Sequence, residues 1–428
     1  KEVHVELEKI QTKMSFDNNL EGFNTCQKMW YFFWNPSVGS FTTQVPCHES
    51  HGNQFSCYAQ AVAMHAIADS ASVNKDMTIP IVDKAIKSTL KYRNPKYGAY
   101  SVDFHGGINS GDEDINYDDN AHLLRALIEL YEATQNRNYM NMCKELMKFL
   151  YTGIIEHQIW HVPGLKWHIT KPYMNTISNS VSAIGAMRMI PYAENQQEEQ
   201  KLYEFAKICI NFVWNKLLDP SDDIIMDGVG WDSENLDITK YSYNQGTTLS
   251  AICLLYKYDH NPEWKEKAIR LVDGCINPSK TLFDRDYKEY DKRFLQGVSY
   301  FNQLLIEGVA DFILTFENEV PSDLINNCKH QLLRHLSYFR KYCLDPADGM
   351  YFMSFDIYKL DKDIYKRYRN EFGGNKEFKP DPRERIGNSN DTPVEKRPVA
   401  KSLIGAGAAA HIFFQGARIF PKMDPSCP

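Results

Sequence analysis

The feature that most constrains the fold is an alternation of two kinds of helical segment along nearly the whole chain. Apolar residues recur at helical spacing over roughly 54–73, 79–92, 119–135, 138–152, 175–190, 197–217, 245–257, 262–275, 294–316, 322–343 and 399–418, with one more such segment around 19–35. One kind is small and apolar on most faces, as in NTISNSVSAIGAMRMI (175–190) and SLIGAGAAAHIFFQGA (402–417). The other is amphipathic, as in EEQKLYEFAKICINFVWNKLL (198–218) and NPEWKEKAIRLVDGCI (261–276). A helix apolar nearly all round is buried, whereas one with a charged face lies outside. Strand-like alternation is scarce. About twelve helices, buried and exposed in turn, therefore predict an all-α chain of helical hairpins whose inner helices are covered by outer ones. Six such hairpins closed into a ring form an (α/α)6 barrel. An open α-solenoid would repeat about every 34–47 residues, while the hairpins here are spaced by roughly 60–80 and share pattern rather than sequence.

With 428 residues and 43% hydrophobic content, the chain is read as one domain, 1–428, carrying a polar insertion near 360–395. The charged stretch YKRYRNEFGGNKEFKPDPRER (365–385) is expected to be solvated. A formal net charge of −7 without a basic run speaks against nucleic acid, and no apolar run is long enough to span a bilayer. The ten cysteines show no metal-ligand spacing, so neither metal nor cofactor is expected, and the chain is taken as a monomer. A disulfide is expected among Cys26, Cys47 and Cys57, whereas Cys209 and Cys253 read as buried thiols. The sequence opens on Lys1, so a removed signal peptide and a secreted or cell-surface location are expected; the sequon Asn390-Asp391-Thr392 leans the same way.

One stretch holds an unusual concentration of acid: DEDINYDDNAHLLRALIELYEATQN, 112–136. Asp118 and Asp119 stand where a polar loop, which also contains His105, Gly106 and Gly107, runs into a buried-type helix. Capping explains most such pairs, and Asp222-Asp223 in LLDPSDDII reads simply as turn chemistry. Near a buried helix start, two carboxylates sharing a site titrate apart, so one holds a proton while the other is ionised. That is the equipment of a glycosidase, retaining or inverting according to the separation of the carboxyls. Other loops before inner helices carry sugar-site residues. They are Trp167, Tyr173, Asn175 and Asn179; Asp227, Trp231, Tyr243, Asn244 and Gln245; and Arg293 with Gln296. Tyr117 and His105 join the candidate substrate contacts. Aromatic faces cover the apolar face of a pyranose, and amides and carboxylates meet its hydroxyls. His161 reads as an unliganded loop residue, and GAGAAA (405–410) as close helix packing.

The ordered set YDDNA (117–121), GLKWHI…YMNTISN (164–179), IMDG (225–228) and YSYNQG (241–246) resembles glycoside hydrolase family 76 over roughly residues 50–310. That family includes α-1,6-mannanases and the fungal Dfg5/Dcw1-type wall proteins. The resemblance implies an (α/α)6 barrel and retaining cleavage of α-1,6-mannan or its oligosaccharides. It makes Asp118 the nucleophile, Asp119 the general acid/base and Asp227 a holder of substrate hydroxyls, with Tyr243, Asn244 and Gln245 lining the cleft. Three places depart from the family pattern. His122 and Leu123 stand near a usual aromatic, Met174 stands at a usual Lys, and the segment 32–50 is atypical. A wall-type transglycosidase and a non-catalytic mannan-binding protein are the competing readings. A purely structural interaction module would have no need of a buried acid pair.

Overall fold

The computed structural model describes residues 16–45, 56–104, 113–386 and 392–424. Thirteen α-helices lie among them. They are α1 (Asn18–Phe33), α2 (Cys57–Val73), α3 (Lys75–Leu90), α4 (Tyr117–Thr134), α5 (Arg137–Tyr151), α6 (Thr176–Met189) and α7 (Gln196–Leu217). After these come α8 (Ser242–Asp259), α9 (Pro262–Ile276), α10 (Ser299–Phe316), α11 (Ser322–Tyr338), α12 (Lys362–Phe372) and α13 (Leu403–Ala417). All but α12 coincide with segments read from periodicity. The alternation holds: α2, α6 and α13 bury nearly every residue, whereas α5 buries one stripe, Tyr139, Met140, Cys143, Leu146, Met147 and Leu150 among it. Before α10, Phe294, Leu295 and Val298 had suggested helix; they are buried in irregular chain, with Phe294 stacked on Tyr338 at 4.1 Å.

The chain divides into two compact units. One contains 35–41 and 55–275; in it α2, α4, α6 and α8 pack in succession, with α3 on α2, α5 on α4, and α7 on α6 and α8. Small residues set the approach: a Cβ on Gly185 of α6 would stand 2.6 Å from Leu124 of α4. The other contains 1–34, 42–54 and 276–428; there α13 packs on α1 and α10, and α11 on both α10 and α13.

Short turns follow the outer helices, and here a repeat emerges that the helices had hidden. Asn35-Pro36, Asn94-Pro95, Asp219-Pro220 and Asp345-Pro346 each open the same five-residue turn. The Asn or Asp Oδ1 accepts the N–H two residues on, at 3.1, 3.0, 2.9 and 2.9 Å respectively. Its carbonyl accepts the N–H four residues on. The fifth residue has positive φ, +69° at Gly39, +62° at Gly98, +59° at Asp223 and +70° at Gly349, a region where glycine is at ease and Asp is tolerated. Proline presets φ and has no N–H to lose. Asp222-Asp223 is thus turn chemistry, as expected. Two of these turns are also tied to a lysine just before an inner helix. Lys240 reaches Asp219 and Asp222 at 2.7 and 2.6 Å, and Lys401 reaches Asp345 and Asp348 at 2.8 and 3.0 Å.

A second repeat lies at the fourth residue of inner helices. Asn120 Nδ2 donates to Tyr100 O and Asn116 O, while its Oδ1 accepts Tyr100 N–H. Asn179 does the same with Leu165 and Asn175, and Gln245 with Ile225 and Tyr241. One amide therefore pins the helix start to the strand of the preceding hairpin. The reading of Asn179 and Gln245 as substrate contacts is corrected here, because both side chains are wholly buried and engaged by main chain. Asn179→Ala strands an N–H and two carbonyls and is expected to cost about 2–4 kcal/mol. Urea unfolding checks this, and an unchanged midpoint would remove the clamp.

The stretch expected to be a solvated insertion is substantially packed. Tyr365, Tyr368 and Phe372 of α12 are buried, and Tyr368 contacts Tyr287, Tyr338 and Tyr342. Glu384 and Arg385 are buried too; Glu384 accepts the Met353 N–H at 2.5 Å, and burial pushes its carboxyl up to about 7. Cys57 is a buried free thiol, which takes it out of the expected disulfide, and Cys209 is likewise free and buried. Cys253 is buried. Cys47, Asn390, Asp391, His105, Gly106, Gly107 and Asp112 lie outside the described residues.

Candidate active site

The acid pair opens α4, at a helix N-terminus that favours negative charge. Asp118 is partly exposed and Asp119 buried. Asp118 Oδ1 accepts the Asp119 N–H at 2.9 Å, and the Trp167 indole lies close enough to favour the charged form of Asp118. Among the described residues, Asp119 receives only a long bond from Asn116 Nδ2, 3.4 Å. Burial pushes both carboxyls up, Asp118 to about 7 and Asp119 well above its ordinary range, where the charge of Asp118 adds to the burial. Asp118 is the better solvated of the two, and the burial of Asp119 disfavours its charge more. Cys57, beside the pair, is pushed far up by burial and by both carboxylates, so its thiol is inert.

A third carboxylate faces them. Asp227 accepts the Tyr173 hydroxyl at 2.5 Å and Asn244 Nδ2 at 3.0 Å, with Tyr243 also bonded to it. Burial raises its pKa, and its charge in turn raises Asp118. Tyr243 stacks on Tyr241 at 5.0 Å; burial, then Asp227, Tyr241, Asp118 and Tyr58, push its hydroxyl up. Asp118, Asp119, Asp227, Trp167, Tyr243 and Asn244 thus gather in one place, on the starts of α4 and α8, the loop before α8 and, for Trp167, the loop before α6. The strand Met174–Asn175 pairs with Gly228–Val229 and brings Asn175 beside Asp227. Among the described residues, the buried Oδ1 atoms of Asn175 and Asn244 have no hydrogen-bond partner.

Other candidates are elsewhere. Tyr117 stacks on Phe149 at 4.4 Å and its hydroxyl bonds Thr152, so it supports the helix start rather than a ligand. Trp231 is half-buried in the loop after Asp227, its carbonyl accepting the Gln158 N–H. Arg293 and Gln296 bond main-chain carbonyls of Tyr287, Pro278 and Phe283. His161 is exposed, its Nδ1 3.1 Å from Glu156. Met174 is fully buried, and His122 packs against Tyr58 at 5.3 Å. The sequence reading missed Tyr58 and Tyr241. Tyr58 occupies the second position of its helix, two before the amide Gln60, as Asp118 and Tyr243 stand two before Asn120 and Gln245. Away from the pair, His65, Asp69 and Glu129 bring three potential metal ligands within 4.8 Å of one another. They bond among themselves: burial alone would raise Glu129, but His65 and Asp69 bring it down to about 2.

The sequence profile of glycosyl hydrolase family 76 matches residues 23–333. The chain belongs to that family. Its fold class is the (α/α)6 barrel expected from the sequence. The meiotically up-regulated gene 191 protein of Schizosaccharomyces pombe is 28% identical over 396 residues, 87% of this chain and 85% of that protein. Among solved structures, the family 76 α-1,6-mannanase of a Salegentibacter species is similar over 94% of this chain and 99% of its own, at 14% identity and TM-score 0.69. An inactive variant of that mannanase, with two adjacent aspartates changed to asparagine, was solved with α-1,6-mannotriose. Dfg5 of Chaetomium thermophilum, solved with glucosamine, covers 94% of this family 76 chain and 90% of its own at 14% identity, TM-score 0.62.

Proposed function

We propose that this chain is an endo-acting α-1,6-mannanase that cleaves the mannan backbone with retention of configuration. The observation that carries the reading is the unequal pair: Asp118 is partly exposed and accepts the Asp119 N–H at 2.9 Å, which suits the charged nucleophile, whereas Asp119 is buried with one long bond from Asn116, which suits the proton-bearing acid. Asp118 attacks the anomeric carbon as Asp119 protonates the departing glycosidic oxygen, giving a glycosyl ester on Asp118. Asp119, now ionised, takes a proton from water, whose oxygen displaces Asp118 from the anomeric carbon. Asp227, braced by Tyr173 and Asn244, is placed to accept from substrate hydroxyls, and Trp167 and Tyr243 offer faces to the sugar ring. The mannotriose bound by the inactive mannanase variant supports α-1,6-mannooligosaccharides as ligand. A polymeric wall glycan as substrate puts the enzyme outside the cell, secreted or at its surface.

Incubation with linear α-1,6-mannan, followed by mass spectrometry, is expected to yield short mannooligosaccharides whose first-formed anomer is α by proton NMR. A β-anomer would replace retention by inversion. The likeness to Dfg5 favours a second reading, transfer of the glycosyl group to a sugar hydroxyl in place of water. Products that form only when an acceptor oligosaccharide is added would select it. Binding without product in either assay would reduce the cleft to a mannan-binding site.

A further inference from the structure

Trp167 meets Asp118 from a different loop, so its aim depends on how that loop is held. Residues 113–117 and 165–170 run side by side. Tyr117 N–H donates to Trp167 O at 2.7 Å, Ile169 N–H donates to Ile115 O at 3.2 Å, and Asn116 and His168 pair as an antiparallel bridge. The His168 ring completes the join. It is 2% exposed, with Nε2 2.6 Å from Asp114 Oδ1 and Nδ1 3.0 and 3.2 Å from the N–H groups of Thr170 and Lys171. Main-chain N–H groups only donate, so Nδ1 is the acceptor and the single ring hydrogen sits on Nε2, directed at Asp114. The ring is therefore neutral and has one tautomer. Burial favours that state against the opposing pull of Asp114; Lys171 and Lys166, the other charges facing it, add to the preference.

The indole is packed from three sides. His168 lies 5.8 Å from its centre, Tyr173 meets it edge-on at 6.2 Å, and the Lys171 ammonium stands 5.4 Å over the ring. Lys171 is also 3.6 Å from Asp114, so the same carboxylate anchors two of the groups that surround Trp167.

We propose that His168 is a positioning residue, a neutral strut between Asp114 and the 170–171 turn that keeps the Trp167 indole N–H directed at the Asp118 carboxylate. Without the strut the indole drifts, Asp118 loses a donor to its charged form, and the difference between the two carboxyls narrows. The catalytic consequence rests on the role given to Asp118 above; the placing of the indole beside Asp118 does not.

The test therefore reads the indole N–H itself. Protein labelled with 15N in its seven indoles gives seven N–H signals, and Trp167→Phe identifies one of them. In the wild type that signal is expected downfield and moving with pH as Asp118 ionises, with Asp119 and Asp227 the other groups facing it; Asp118→Asn abolishes the movement. In His168→Ala the Trp167 signal loses its pH dependence while the other six stay in place, which reports an intact fold. His168→Gln, which keeps a donor for Asp114 and an acceptor for the turn, restores most of it. Should His168→Ala not fold, Asp114→Ala, at a partly exposed carboxylate, is expected to give the same loss in weaker form. An unchanged titration of Trp167 in the folded variant overturns the proposal, as does a wild-type signal indifferent to Asp118→Asn. On mannan, His168→Ala is expected to lower kcat about ten- to hundredfold with KM within twofold. Wild type inactive on mannan would sink the mannanase reading and leave the NMR result to decide this one.

Discussion

Asp119→Asn is expected to slow mannan cleavage about 10²–10⁴-fold, the contribution of a positioned general acid, and Asp118→Asn at least as much because the covalent intermediate no longer forms. Both variants are also expected to be more stable than the wild type at neutral pH. Burial raises Asp118 from 3.8 to about 7 and Asp119 further. A carboxyl raised in the folded state binds its proton more tightly there than in the unfolded chain. Its stabilisation is complete below the ordinary carboxylate value and is lost as pH rises through the folded one. Wild-type stability should therefore fall between about pH 4 and pH 7 by a few kcal/mol, reduced by whatever water reaches the partly exposed Asp118. Asp118→Asn lacks the share of that fall that Asp118 contributes and keeps the share due to the burial of Asp119. Thermal unfolding at pH 4, 5.5 and 7 should show Tm for the variant drawing ahead by several degrees as pH rises. A constant difference across the series would mean that the pair is not strained, and the acid/base assignment would lose its footing.

Lys401→Met is expected to destabilise its unit by about 3–5 kcal/mol, because breaking a buried ion pair leaves the partner charge uncompensated. Its side chain is 2% exposed, between Asp345 and Asp348 and 4.1 Å above the Phe352 ring. The matching change at Lys240 should cost less, since that lysine side chain is 15% exposed against 2% for Lys401. Urea unfolding of the two variants compares them directly. Adding Asp345→Asn and Asp348→Asn to Lys401→Met should recover much of the loss. Failure to recover would show that the lysine acts through its packing on Phe352 rather than its charge.

The helices were legible because burial enforces a 3.6-residue period over long spans, and the acid pair because two adjacent carboxylates before a buried helix have few peaceful explanations. Asn179 and Gln245 were misread for a chemical reason. An amide that meets main chain and one that meets a sugar hydroxyl have the same composition, and only the shared fourth-residue position with Asn120 tells them apart. Tyr117 misled in the same way, its ring turned to Phe149 although the next residue is Asp118. In 365–385 the charges masked Tyr365, Tyr368 and Phe372, whose spacing gives one apolar face of α12. His168 could not be found at all, since its partner Asp114 lies 54 residues away.

The three amide clamps bear on how such a site can change. Each ties a strand end to a helix start, so the chain that leaves after Tyr100, Leu165 or Ile225 rejoins the scaffold at Asn116, Asn175 or Tyr241. A segment pinned at both ends behaves as a cassette. Residues of these segments that hold no reacting group can change without altering where Asp118, Asp119 and Asn244 stand on their helices, which lets glycan preference diversify while the reacting groups stay put.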